Sequence, residues 1–187
     1  MARAHCSIAR PCVGYCRAQA LKKDLADPFA FYGSSSSSSS SSNSDPCRGP
    51  AAPLRRFWVA RALPSGRVVG CVAVAQDATP PAVMAVELRR LAVHPAYRRR
   101  GLGQKLVQTA VAHVRAAAEA RAAGACKVRL TCLSGAAVPA AAAACALYSG
   151  LGFVLLREYS NGLGSSSRAE NTGAVMCDFE LSVELTH

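Results

Sequence analysis

Runs of β-forming residues and one long helical period divide the middle of this chain. Phe57-Trp58-Val59-Ala60-Arg61-Ala62 and Val68-Val69-Gly70-Cys71-Val72-Ala73-Val74 are separated by Pro64-Ser65-Gly66. That composition predicts two antiparallel strands joined by a hairpin turn. Val83 to Val93 is a third strand, and simple alternation places Glu87, Arg89, Leu91 and Val93 on one face. Charged and apolar residues then share that face, which points to a bulge that resets the register.

From Gly101 to Ala123 apolar residues recur at Leu102, Leu106, Val107, Ala110, Val111 and Val114, a helical period that leaves Arg115, Glu119 and Arg121 for solvent. Gly124 is the expected stop. Lys127 to Leu133 is the next strand, and the helical crossover before it makes it a parallel neighbour of the third. Ala140 to Tyr148 has high helix propensity, with Gly150 and Gly152 at its end. Gly152 to Glu158 and Ala174 to Leu185 read as two strands joined by the polar loop Ser160 to Thr172. The order is strand, strand, strand, helix, strand, helix, strand, strand, without an internal repeat.

The first third of the chain has a different composition. Nine consecutive serines, Ser34 to Ser42, lie in a stretch that cannot supply a packed core. Three segments follow: a basic N-terminal segment, 1–32, partly helical or disordered; a serine-rich linker, 33–54; and a folded domain, 55–187. Within the first, only Leu21 to Tyr32 is apolar enough to dock as a short helix. Pro11 and Gly14 interrupt the amphipathic helix that a mitochondrial presequence would need.

The 187 residues suffice for one domain with a real core. Lys and Arg number 22 against 11 Asp and Glu, and the formal charge of +11 favours an anionic partner. Aromatics are only 6% of residues and form no platform with the basic ones, which argues against nucleic acid. No apolar run reaches the ~18 residues of a membrane span. The nine cysteines include Cys71, Cys126, Cys132, Cys145 and Cys177, each within an apolar stretch. They fit buried, reduced thiols in an intracellular, cytoplasmic protein. His5, Cys6, Cys12 and Cys16 match no standard zinc spacing, so no metal site is expected.

The densest chemistry lies at 91–106, where a strand breaks into an arginine and glycine turn and opens a helix. Arg98, Arg99 and Arg100 bring positive charge, Gly101 and Gly103 allow close approach, and the first amides of the helix face outward. These are the parts of a phosphate cradle.

Arg98-Arg99-Arg100-Gly101-Leu102-Gly103 resembles the Q/R-x-x-G-x-G/A cofactor motif of the GNAT superfamily of acyl-CoA-dependent N-acetyltransferases. Ala144-Cys145-Ala146-Leu147-Tyr148 followed by Gly152-Phe153 resembles that superfamily's closing motif. Within it, Phe57 to Ala60, Val68 to Gly70 and Val86 to Leu88 look like the camello-like, N-acetyltransferase 8 group. The resemblance spans residues 57 to 159. It implies an α/β (α+β) fold whose mixed, largely antiparallel central sheet is flanked by helices and splays into a V between its central parallel strands.

The resemblance also implies a reaction: acetyl transfer from acetyl-CoA to a primary amine by direct attack in a ternary complex. The acceptor is a small amino-acid conjugate, a protein N-terminus or a lysine. Leu91, Ala92 and Val93 are expected to meet the pantetheine arm. Arg98, Arg99, Arg100, Gly101, Leu102, Gly103 and Gln104 are expected to hold the pyrophosphate, and the Val93 amide to stabilise the oxyanion. Glu87 stands where several members keep a general base; alternatively it is a strand carboxylate paired with Arg89 or Arg129. Tyr148 resembles the tyrosine that protonates the departing thiolate. Cys145, one turn before it, has no histidine nearby in sequence and reads as a buried small hydrophobe rather than a nucleophile. Ala141 stands where many relatives carry asparagine. That departure and the irregular first 56 residues keep a second reading open, a catalytically weak or inactive CoA-binding module of the same fold.

Overall fold

A computed structural model describes residues 22–32, 53–76, 83–134, 139–159 and 175–185. The serine run, the cluster at His5 to Cys16 and the loop Ser160 to Thr172 lie outside the described residues. The elements are α1 (Pro28–Tyr32), β1 (Arg55–Arg61), β2 (Val68–Gln76), β3 (Val83–Val93), a 3-10 turn (Pro95–Tyr97), α2 (Leu102–Ala120), β4 (Ala125–Ser134), α3 (Pro139–Gly150), β5 (Val154–Tyr159) and β6 (Val175–Val183). One six-stranded sheet runs in the order β1-β2-β3-β4-β6-β5. Every pairing is antiparallel except β3 with β4, which is parallel, as the helical crossover through α2 demands.

Helices α2 and α3 cover one face. Leu106, Val107, Ala110, Val114 and Ala118 form the buried stripe of α2. They close over Val72, Val74, Val86, Leu88, Val128 and Leu130 from the three central strands, with Tyr148, Phe153 and Phe179 completing the core. Gly70 permits this close packing: a Cβ there would stand 3.1 Å from both the Ala92 carbonyl and Leu106 Cδ1. The helix stops earlier than its periodicity predicts. It ends at Ala120, and Ala122, not Gly124, takes the left-handed turn at φ 48°. The Ala123 amide then donates to the Ala118 carbonyl at 3.0 Å, closing the end.

The bulge expected in β3 is present and decides which residues share a face. Cys71 pairs with Ala92 but Ala73 pairs with Arg89, so β3 holds one extra residue, and Arg90 adopts φ 58°. Side-chain parity reverses there. Glu87 and Arg89 face away from the helices, whereas Leu91 and Val93 pack against the helical core. Simple alternation would have put all four together.

The face away from the helices carries the N-terminal segment and an ionic ladder. Tyr32 of α1 is buried with Ala73 and Ala75, beside Leu25, Phe31 and Phe57. Further along the sheet, the Glu180 carboxylate accepts from Lys127 Nζ at 2.7 Å and Arg129 Nε at 2.8 Å. These two cations, Lys127 first, hold its pKa below the ordinary value. A depressed folded pKa stabilises above the unfolded value of about 4.3, and the gain is lost as pH falls through the lower folded one. Glu180→Gln is therefore expected to cost about 1 kcal/mol near pH 7, discounted because both cations are part-exposed, and less near pH 3. Thermal melts of both proteins at the two pH values check this; an equal difference at both would refute it.

Candidate active site

The last parallel pair between β3 and β4 is Glu87 with Arg129. Beyond it the strands part, so Leu88 to Val93 and Leu130 to Ser134 flank a fork in the middle of the sheet. On the helical side lies a groove of about 610 Å³ lined by Leu91, Ala92, Val93, Arg98, Arg99, Gly101, Leu102, Gly103, Gln104, Ala143, Ala144 and Leu147. Its size is that of a small-molecule site.

Backbone polarity within the groove follows from the ladder. The His94 amide donates to the Val69 carbonyl at 2.8 Å. Successive residues of an antiparallel strand point their polar groups to opposite sides. The Val93 amide and carbonyl therefore face away from β2, toward the groove. Arg98 Nε takes that carbonyl at 2.9 Å, leaving the amide.

The turn that follows curls its backbone through left-handed residues. Arg99 has φ 60°, and Gly101, the N-cap of α2, has φ 76°. A Cβ on Gly101 would have no heavy atom within 4 Å, so its outer side is open. Gly103 lies closer, 3.4 Å from Leu147 Cδ2 at its Cβ position. Unpaired first-turn amides, a helix dipole and the Arg99 side chain meet at this end of the groove, a fit to a phosphorylated ligand. The three arginines differ in placement. Arg98 and Arg99 both line the groove, Arg98 with its Nε tied to the strand end, and Arg100 lies over the Tyr97 ring at 5.7 Å, outside the groove lining.

On the opposite face, a cavity of about 380 Å³ is lined by Ala85, Val86, Glu87, Arg129, Leu130, Thr131, Leu156, Arg157, Tyr159, Asp178 and Phe179. Glu87 reaches it from the fork, its carboxylate paired with Arg89. Asp178 is held by Thr131 Oγ1 at 2.7 Å and Arg157 Nε at 2.5 Å. Burial works against its charge, but these donors outweigh it and leave the carboxyl below its usual range. Thr131, Tyr159 and Asp178 had no signal in the sequence, because only the β4-β6-β5 pairing brings them to Glu87. Ala143, Ala144 and Leu147 were also missed as groove residues, although their spacing on α3 puts them on one side of a helix.

Tyr148 follows Leu147 but turns into the core, 5% exposed, between Phe153 and Phe179 with ring centroids at 5.7 and 5.9 Å. Burial, and then the Cys132 and Cys145 thiols, push its pKa up, so the phenol keeps its proton. Cys145 meets Cys132 with Sγ atoms 3.3 Å apart. Burial raises the Cys132 thiol, and Cys145 raises it further, the opposite of an activated nucleophile.

Among the described residues, a six-stranded mixed sheet that forks at the parallel pair of β3 and β4, with a glycine and arginine turn opening a helix beside the fork, defines the acyl-CoA acyltransferase class of fold. The Acetyltransferase (GNAT) domain family matches residues 53–155, more than half of the chain, and the protein belongs to that family. Among solved structures, an acetyltransferase of the GNAT family from Streptococcus pneumoniae is 20% identical with a TM-score of 0.51, over 70% of this chain and 67% of that one. NAA60 of Arabidopsis thaliana, in complex with a bisubstrate analogue, is 16% identical with a TM-score of 0.51, over 71% and 77%. A search of curated proteins by sequence returns no match. These likenesses agree in fold, the mixed α/β sheet flanked by helices. Among the described residues no helix is long and apolar enough to cross a membrane.

Proposed function

We propose that the protein transfers acetyl from acetyl-CoA to a primary amine by direct attack in a ternary complex. The observation that carries this reading is the pair of cavities that reach the fork of β3 and β4 from opposite faces, one suited to a thioester donor and one bearing carboxylates. Arg99 and the backbone from Gly101 to Gln104 would hold the pyrophosphate, Leu91 to Val93 the pantetheine arm, and the Val93 amide the oxyanion. An ammonium has no lone pair, so the acceptor must lose a proton before it attacks. Glu87 is the base at the fork, directly or through water, its carboxylate placed there by the pair with Arg89. Tyr148, with its proton retained, is the donor to the departing thiolate, from its place in the core next to the groove residue Leu147.

The NAA60 structure that shares this fold holds a bisubstrate analogue, which fits donor and acceptor bound together. The acceptor is a small amino-acid conjugate, a protein N-terminus or a lysine. The camello-like reading of the subgroup rests on Phe57 to Ala60, Val68 to Gly70 and Val86 to Leu88. Release of free CoA from acetyl-CoA across a library of such amines tests the proposal. Turnover with at least one amine supports it; tight acetyl-CoA binding without turnover on any amine replaces it with the binding-module reading.

A further inference from the structure

The strand that presents Leu91 to Val93 depends on a bulge that its own residue disfavours. Arg90 sits at φ 58°, a conformation that a residue with a Cβ adopts only when its surroundings hold it there. The surroundings here come from far away in the chain. Arg90 Nε donates to Asp24 Oδ2 at 2.9 Å, and a second guanidinium N–H donates to Asp24 Oδ1, a two-pronged pair across 66 residues. Asp24 is fully buried, and the Tyr32 hydroxyl also donates to it. Tyr32 is itself anchored on β1 and β2, 5.4 Å from the Phe57 ring centroid. On the other side of the bulge, Cys71 Sγ lies 3.2 Å from the Arg90 carbonyl and donates to it.

A buried carboxylate is costly unless paired and oriented, so its presence calls for a role. We infer that Asp24 and Arg90 are positioning residues: the N-terminal segment clamps the β3 bulge and so sets the rotation of Leu91 to Val93 toward the acetyl-CoA groove. The inference rests on the proposed function of that groove. Without the bulge, Leu91 and Val93 would return to the face of Glu87, and their polar groups would turn with them. Residues 22–32 thus serve the site without touching the donor.

The test compares acetyl-CoA affinity, by calorimetry on the full chain, with fold content by circular dichroism. Asp24→Asn is expected to weaken binding about tenfold, and in steady state to raise the KM for acetyl-CoA while leaving that for the amine unchanged. Two double variants isolate the bulge, because both lack the clamp and differ only by a Cβ at a left-handed position. Asp24→Asn with Arg90→Gly is expected to bind within about threefold of wild type, since glycine holds that φ freely, while Asp24→Asn with Arg90→Ala binds about tenfold more weakly. Equal affinity of the two double variants, or an Asp24→Asn protein that binds like wild type, overturns the clamp. Wild-type protein that fails to bind acetyl-CoA overturns the reading of the groove, and the clamp with it.

Discussion

Gly101→Val is expected to lower acetyl-CoA affinity by about 30-fold or more while leaving the domain folded. Gly101 holds φ 76° at the N-cap of α2, where a β-branched side chain meets its own backbone. The strain is about 1–2 kcal/mol, enough to shift the first-turn amides but small against the stability of a domain. No neighbouring heavy atom lies within 4 Å of the added Cβ, so the apo protein has space for the valine, which then stands where a phosphate would approach. A loss of about 2 kcal/mol in binding corresponds to the stated factor. Calorimetric titration gives the affinity, and a thermal melt should show a fall in Tm of no more than about 6 °C. Undiminished binding would remove Gly101 from the phosphate site.

Glu87→Gln should lower kcat by about a hundredfold with little change in the KM for acetyl-CoA, the result for a base that acts after the donor is bound. The alternative role, a strand carboxylate that only pairs with Arg89, makes a different prediction. The pair is part-exposed, with side-chain exposures of 39% for Glu87 and 22% for Arg89. Such a pair contributes about 1 kcal/mol or less to stability and nothing to kcat. Rates of CoA release at saturating acetyl-CoA separate the two. A fall in kcat at unchanged KM for acetyl-CoA identifies the base; unchanged kcat with a small drop in Tm leaves Glu87 as a structural partner of Arg89.

Local pattern proved a sound guide wherever the structure depends on neighbours in sequence. The hairpin at Pro64 to Gly66 and the buried stripe of α2 each follow from residues within a few positions of one another, and the parallel pairing of β3 with β4 follows from the helix that connects them. The turn at Arg98 to Gly103 was legible for the same reason, since strand, turn and helix start are contiguous. Helix ends were less so: Ala122 takes the left-handed turn before Gly124 is reached, and the Ala123 amide closes the end on the Ala118 carbonyl.

Composition of the turn could not show how its three arginines divide. Arg98 is drawn to the Val93 carbonyl and Arg100 to the Tyr97 ring, and both partners are set by the path of the chain after β3. Tyr148 is similar: its place in the motif names a role, while the aromatic pair Phe153 and Phe179 decides that it lies in the core beside the groove rather than on its surface.

What the sequence by itself determined is the element order, the parallel pairing of β3 with β4 and the arginine and glycine turn that opens α2, because periodicity, turn chemistry and crossover handedness are local constraints. What only the tertiary structure decided is everything that meets across the fork. The second cavity joins β3, β4, β5 and β6, and the clamp joins Asp24 to Arg90, groups that no local period relates. A one-residue bulge reverses the face of every side chain after it, so the register of β3, and with it the separation of Glu87 from Leu91 and Val93, required the partner strands to be in place.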